Sequence, residues 1–268
     1  MLYEPSTLAS TTTLLATALR EDYGIDPEPI YARAGLSVMP PESPQLRYPL
    51  SKIRLLWEFG REASGDDAIG LRSGRYAKPT NFYAFGYSWL ASGTLLGAMQ
   101  RLVRYVRVVS TASVEVSLAE RPDSFALSAV FPDPAHAPPK EGLDSGMTAL
   151  LALCDAIAEK EICPLRVDLA RPEAAHPEVY REALRAPVHF NAEVGTLFFD
   201  KDVLREPLPL SAPDVAKATD RIAEQYIEVL DPRQVASQVR QLLISLLPSG
   251  KAGQDQVAER LNRSTSTL

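Results

Sequence analysis

Apolar residues recur three and four positions apart along most of this chain, the spacing of helices that bury one face. Leu8, Leu14, Leu15, Ala18 and Leu19 predict a helix over 6–23, closed by Gly24. A second starts at Asp26-Pro27-Glu28-Pro29 and runs through Ile30 and Ala34. Ile53, Leu56, Trp57 and Gly60 place a third over 52–63, and Asp66-Asp67 opens a short segment after it. Leu96, Met99, Leu102, Val103 and Val106 form the inward stripe of a helix over 95–108, with Thr94 as its cap. Met147, Leu150, Leu151, Leu153, Cys154 and Ile157 mark a buried helix over 142–159. Val215, Ala218, Ile222, Tyr226 and Val229 mark an amphipathic one over 214–230.

The period shortens in the middle of the chain. Val114 to Leu118 and Phe125 to Phe131 flank Arg121-Pro122-Asp123-Ser124, a β-hairpin pattern. Leu165 to Leu169, Val188 to Phe190 and Gly195 to Asp200 read as further strands, with a short helix over 177–184 between them. Together these predict an α+β fold: a helix-rich domain with a small antiparallel sheet, a linker helix, then the start of an all-α unit. The expected boundaries are 1–212, 213–231 and 232–268. Prolines fall mostly between the periodic segments and punctuate them.

At 268 residues and 46% hydrophobic content the chain supports a large core and is not disordered. No apolar run is long enough to span a bilayer, and the N-terminus lacks a secretory pattern. Cys154 and Cys163 are too few for a disulfide scaffold and have no adjoining histidine cluster. A cytoplasmic protein without metal or cofactor is expected.

Charge separates the ends. From Arg233 onward five basic residues face two acidic ones, although the whole chain carries −6. An acidic body with a basic tail suggests that the tail approaches phosphate. The tail also carries a pattern. Pro232-Arg233-Gln234-Val235 opens a helix with Val239, Leu242, Leu243, Leu246 and Leu247 on one side. Gln254 to Leu268 then has helix-turn-helix spacing: Val257, Ala258 and Leu261 on one face, Asn262 in the turn, Ser264 as the next N-cap. Arg263, Thr265, Ser266 and Thr267 would begin the base-reading helix.

These stretches resemble AraC/XylS-type transcriptional regulators with an arabinose-binding-type N-terminal domain, as distinct from the cupin type. The residues that carry the likeness are Phe85-Gly86-Tyr87 with Leu95 to Tyr105, the run Arg166 to Leu184, and Val188-His189-Phe190 through Leu197-Phe198-Phe199-Asp200 to Pro207-Leu208. The resemblance spans nearly the whole chain and implies two helix-turn-helix units in the C-terminal domain. Here the first stops at Leu268 and the second is absent. Tight DNA binding is therefore expected of the full-length parent and not of this stretch. The resemblance also implies a small-molecule effector, and paired half-sites imply a homodimer, for which the helix over 214–230 is suited.

Candidate chemistry points the same way. His136, His176 and His189 are scattered, and Asp144-Ser145-Gly146 lacks the glycine pattern of a nucleophile turn. Cys154 sits among leucines as a core residue would, and Asp66-Asp67 reads as a helix cap. No catalytic residue is expected. The rival functions are a small-molecule-binding metabolic enzyme of unknown type and a structural interaction domain. Trp57, Tyr83 and Tyr87 are amphipathic aromatics of the kind that line effector sites, and Arg104 could meet a carboxylate. These four are the predicted effector group.

Overall fold

Ser6 to Thr13 holds many hydroxyl and β-branched side chains, which compete with helix formation. In the computed structural model Ser6–Leu8 is a strand, β1, paired antiparallel with Arg47–Pro49, β2. The Thr11, Thr12 and Thr13 hydroxyls donate to the carbonyls of Leu8, Ala9 and Ser10 at 2.7, 2.8 and 2.7 Å, shaping a 3₁₀ turn. Helix α1 (Thr13–Tyr23) therefore starts later than predicted, and it ends at Gly24, whose φ is 65°. Arg47 fixes β2 by donating to the Ser6, Val108 and Val109 carbonyls at 2.9, 2.7 and 3.2 Å.

The structure describes residues 4–38, 44–230 and 253–260, with Leu243 and Leu246. Residues 4–223 form one compact unit, and the described residues from Glu224 onward belong to another.

In the first unit, α2 (Glu28–Arg33) and α3 (Leu50–Ser64) close on α1 around Leu15, Leu19, Tyr31, Ile53, Leu56 and Trp57. Tyr31 is fully buried and donates to the Thr12 carbonyl; burial pushes its phenol up. Next, α4 (Ile69–Gly74) lies against the later helix α7 (Lys140–Ala158) with two glycines at the crossing. A Cβ on Gly70 would stand 2.2 Å from the Glu141 carbonyl oxygen, and one on Gly74 2.0 Å from Thr148 Oγ1. Only hydrogen at these positions allows so close an approach.

Helix α5 (Tyr83–Leu90) and helix α6 (Leu95–Val109) follow. Phe85 and Trp89 are buried on α5, and Trp89 Nε1 donates to the Leu153 carbonyl of α7 at 2.9 Å. Thr94 caps α6 by accepting from Gly97 N at 3.0 Å. The fully buried positions of α6 are Leu95, Ala98, Met99, Tyr105 and Val108. That stripe is rotated from the predicted one and retains Met99, because tyrosine and alanine also serve as core.

The larger sheet has the order β3-β4-β7-β5-β6, formed by Glu115–Glu120 (β3), Ser124–Val130 (β4), Arg166–Asp168 (β5), Val188–His189 (β6) and Gly195–Asp200 (β7). The predicted hairpin is β3–β4, and β7 pairs antiparallel with β4, setting Phe125 opposite Phe199. The fifth strand departs from the antiparallel pattern: β6 runs parallel to β5, and helix α8 (Pro177–Leu184) makes the crossover. The whole is α+β.

The chain leaves the sheet through α9 (Lys201–Arg205). It passes along the α5–α6 loop, where Leu208 N donates to Gly93 O at 2.9 Å and Ala212 N to Ala91 O at 3.1 Å. Helix α10 (Pro213–Leu230) follows. In the second unit α11 (Gln254–Arg260) is helical with Val257 and Ala258 buried. Leu246 is helical and buried. Leu261, Asn262, Arg263, Ser264, Thr265, Ser266, Thr267 and Leu268 lie outside the described residues.

Candidate functional site

An open cleft of about 510 Å³ lies between α3 and the proline-rich loop before α7. Arg54, Glu58 and Arg61 line it from α3 because they fall three and four residues apart on one face. Opposite stand Pro134, Ala137, Pro138 and Pro139, and Glu141 begins α7. Arg54 Nη2 holds the loop by donating to the Ala135 and Ala137 carbonyls, both at 2.6 Å. Arg61 pairs with Glu141 at 3.3 Å and with Asp67 at 3.4 Å. Glu58 is exposed and has no hydrogen-bond or ion-pair partner among the described residues.

The predicted effector group divides. Trp57 is buried in the front core and does not line this cleft. A Cβ on Gly142 would lie 3.4 Å from Trp57 Nε1 and 3.5 Å from both Pro138 Cβ and Pro139 Cδ. Tyr83 and Tyr87 lie one turn apart on α5, Tyr83 accepting from Gln45 Nε2 at 2.8 Å and Tyr87 being 47% exposed. Arg104 on α6 lies against Tyr105, its Cζ 5.6 Å from the ring centre. None of these three lines this cleft. A second open cleft of about 650 Å³, at Arg181, Arg185 and His189, also involves none of the four.

Two polar constellations escaped the sequence reading. Asp144 is wholly buried on α7, where it receives Arg171 Nη2 and, at 3.0 Å, the Tyr180 hydroxyl. Burial pushes its carboxyl up, against the opposing pull of Arg171 and Tyr180. Burial and the Asp144 charge push the Tyr180 phenol up as well. The available signal was an aspartate within an apolar helical stripe, which must find a partner. The second constellation is Asp220 on α10. It takes Arg101 Nε and Nη2 at 3.1 Å each and also the Ser88 hydroxyl. This bidentate clasp ties α10 to α5 and α6. The arginine of α6 that meets a protein carboxylate is thus Arg101.

The remaining candidates are accounted for by packing and capping. Cys154 is fully buried, and desolvation pushes its thiol up. Asp66 accepts from Ala68 N at 2.7 Å and from Tyr23 and Arg72. Desolvation opposes these bonds but they prevail, holding its carboxyl below the usual range. His189 is exposed on β6, 3.5 Å from Asp168. No helix among the described residues is long and apolar enough to cross a membrane.

The first unit thus carries an open cleft and holds α10 through Asp220, and the second contains α11 with two buried residues. Residues 24–208 match the arabinose-binding domain at the N-terminus of AraC transcription regulators, and the chain belongs to that family. It is 24% identical over 248 residues to the ornithine utilization regulator of Pseudomonas aeruginosa, across 92% of this chain and 73% of the relative. Its fold is similar to the crystal structure of the transcriptional regulator CdpR from Pseudomonas aeruginosa. That likeness has a TM-score of 0.51 at 16% identity and covers 90% of this chain and 75% of the other.

Proposed function

We propose that the first unit of this AraC-type regulator binds a small effector in the α3–α7 cleft and thereby biases α10 and the DNA reader beyond it. The observation that carries this reading is the course of α7. It borders the cleft at Glu141, and some 18 Å further along, at ~1.5 Å per residue, its Leu153 carbonyl holds Trp89 of α5. The neighbouring Ser88 is bonded to Asp220 of α10. A ligand that prefers one arrangement of these helices shifts the population of the other, which is what allosteric control requires. Of the predicted effector group, Trp57 stands in the core and does not line the cleft. Tyr83, Tyr87 and Arg104 belong to the two helices that clasp the arm. DNA is the partner of the C-terminal unit, and the cytoplasm is the compartment this implies.

The test is the melting temperature of the chain against a panel of metabolites. The panel includes ornithine, because one relative is named for its utilization. A selective ligand at a hundred times its Kd adds about 2.7 kcal/mol and raises the melting point by several degrees. A panel without any shift would sink the sensing reading.

The regulator is proposed to act as a homodimer through α10. Ala216 and Ala223 face inward, whereas Val215, Ile222 and Val229 are 53%, 44% and 46% exposed. Their seven-residue spacing makes a seam that a second copy can match. We expect Ile222→Asp to shift the protein from dimer to monomer in light scattering while its circular dichroism stays unchanged. A monomeric parent, or a dimer indifferent to the substitution, argues against this seam.

A further inference from the structure

We propose that the α3–α7 cleft takes a free α-amino acid in its zwitterionic form, with Glu58 receiving the ammonium and Arg54 receiving the carboxylate. The inference rests on the sensing reading above and supplies its ligand class.

Some charges in the cleft are already compensated. Arg61 and Glu141 neutralise one another at 3.3 Å, with Asp67 adding to Arg61 at 3.4 Å. Arg54 and Glu58 are different. They stand on successive turns of α3, within ~6 Å between Cβ atoms, yet they do not pair. Arg54 is bonded only to two neutral carbonyls, both through Nη2, so its charge is unbalanced and Nη1 and Nε remain as donors. Glu58 has no partner among the described residues. One uncompensated cation and one uncompensated anion thus border the same cleft.

A simple anion would be drawn to Arg54 and repelled by Glu58; a simple amine would meet the reverse. A molecule with both charges on one carbon satisfies both. The Pro134, Ala137, Pro138 and Pro139 wall is apolar and can receive the aliphatic part of a side chain. The volume of about 510 Å³ lies within the range of small-molecule sites, ~300–1,000 Å³.

The experiment titrates the chain with each common L-α-amino acid and with ornithine, read by calorimetry and by tryptophan fluorescence. Trp57 and Trp89 are the only tryptophans, and Trp89 is wholly buried. At least one amino acid should saturate the protein. Its decarboxylated amine and its deaminated acid should each bind at least about tenfold more weakly, since each loses a charge-assisted contact. Glu58→Gln should weaken binding about tenfold and leave the melting point of the unliganded protein unchanged. A merely structural role would move stability and affinity in the same direction.

The proposal is overturned if no amino acid binds, if the amine alone binds as well, or if Glu58→Gln is without effect. Where amino acids fail but another metabolite raises the melting point, the ligand class falls and the sensing reading stands. Where nothing raises it, both fall.

Discussion

Gly74→Ala is expected to destabilise the first unit by about 3 kcal/mol, at the upper end of overpacking costs. The added carbon would stand 2.0 Å from Thr148 Oγ1, 2.2 Å from the Ser145 carbonyl oxygen and 2.7 Å from Ala149 N. Two of these neighbours are backbone atoms of α7, which cannot rotate aside. The crossing must open, and it opens along its length because Gly70 meets the same helix one turn earlier. For a domain of this size that corresponds to a fall of roughly 6–12 °C in melting temperature. Gly146→Ala provides the opposing control. Gly146 lies on the exposed side of α7, and a Cβ there meets nothing within 4 Å. Alanine should stabilise the helix by about 0.5–1 kcal/mol. Thermal denaturation of the two variants should therefore move in opposite directions; equal shifts would mean that the crossing is looser than described.

Asp144→Ala should cost about 3 kcal/mol or more, because it strands Arg171 and the Tyr180 hydroxyl without their acceptor. The loss arises from the partners left behind rather than from a large intrinsic worth of the ion pair. A variant carrying Asp144→Leu, Arg171→Met and Tyr180→Phe together should accordingly be more stable than Asp144→Ala alone, as apolar replacement of a buried pair often is. Urea denaturation of the two variants decides it. A triple variant less stable than the single one would show that the pair contributes more than it costs to bury.

Both predictions concern features that one-dimensional patterning conceals. Periodicity showed which face of 142–159 is apolar, and Leu150, Leu151, Leu153 and Cys154 are indeed buried there. It could not show that Gly70 and Gly74 mark where another helix crosses, since glycine in a short segment reads equally as a breaker. The β3–β4 hairpin was legible because its strands are adjacent and its turn is polar. The β1–β2 pair was not, since it joins three-residue strands some forty positions apart. The parallel placement of β6 was hidden for the same reason: two residues carry no period.

Little of the candidate cleft was legible in the sequence, because Arg54 and Glu58 are charged residues at helical spacing, a pattern shared by any solvated helix face. What distinguishes them is the loop around Pro138, and sequence spacing says nothing about where a loop folds back. Tyr83 and Tyr87 carried the same aromatic signal as Trp57, but they lie on α5, away from this cleft.

The larger sheet also bears on how this protein behaves at high concentration. Its two outer strands are β3 and β6, and β6 is only two residues long. A second β3 laid antiparallel in symmetric register would face Glu115 with Glu120, and Glu120 is already held by Lys201 and Arg205. Charged side chains at both ends of this edge, and the shortness of β6, disfavour strand addition, so crowding should not template amyloid-like growth from these margins.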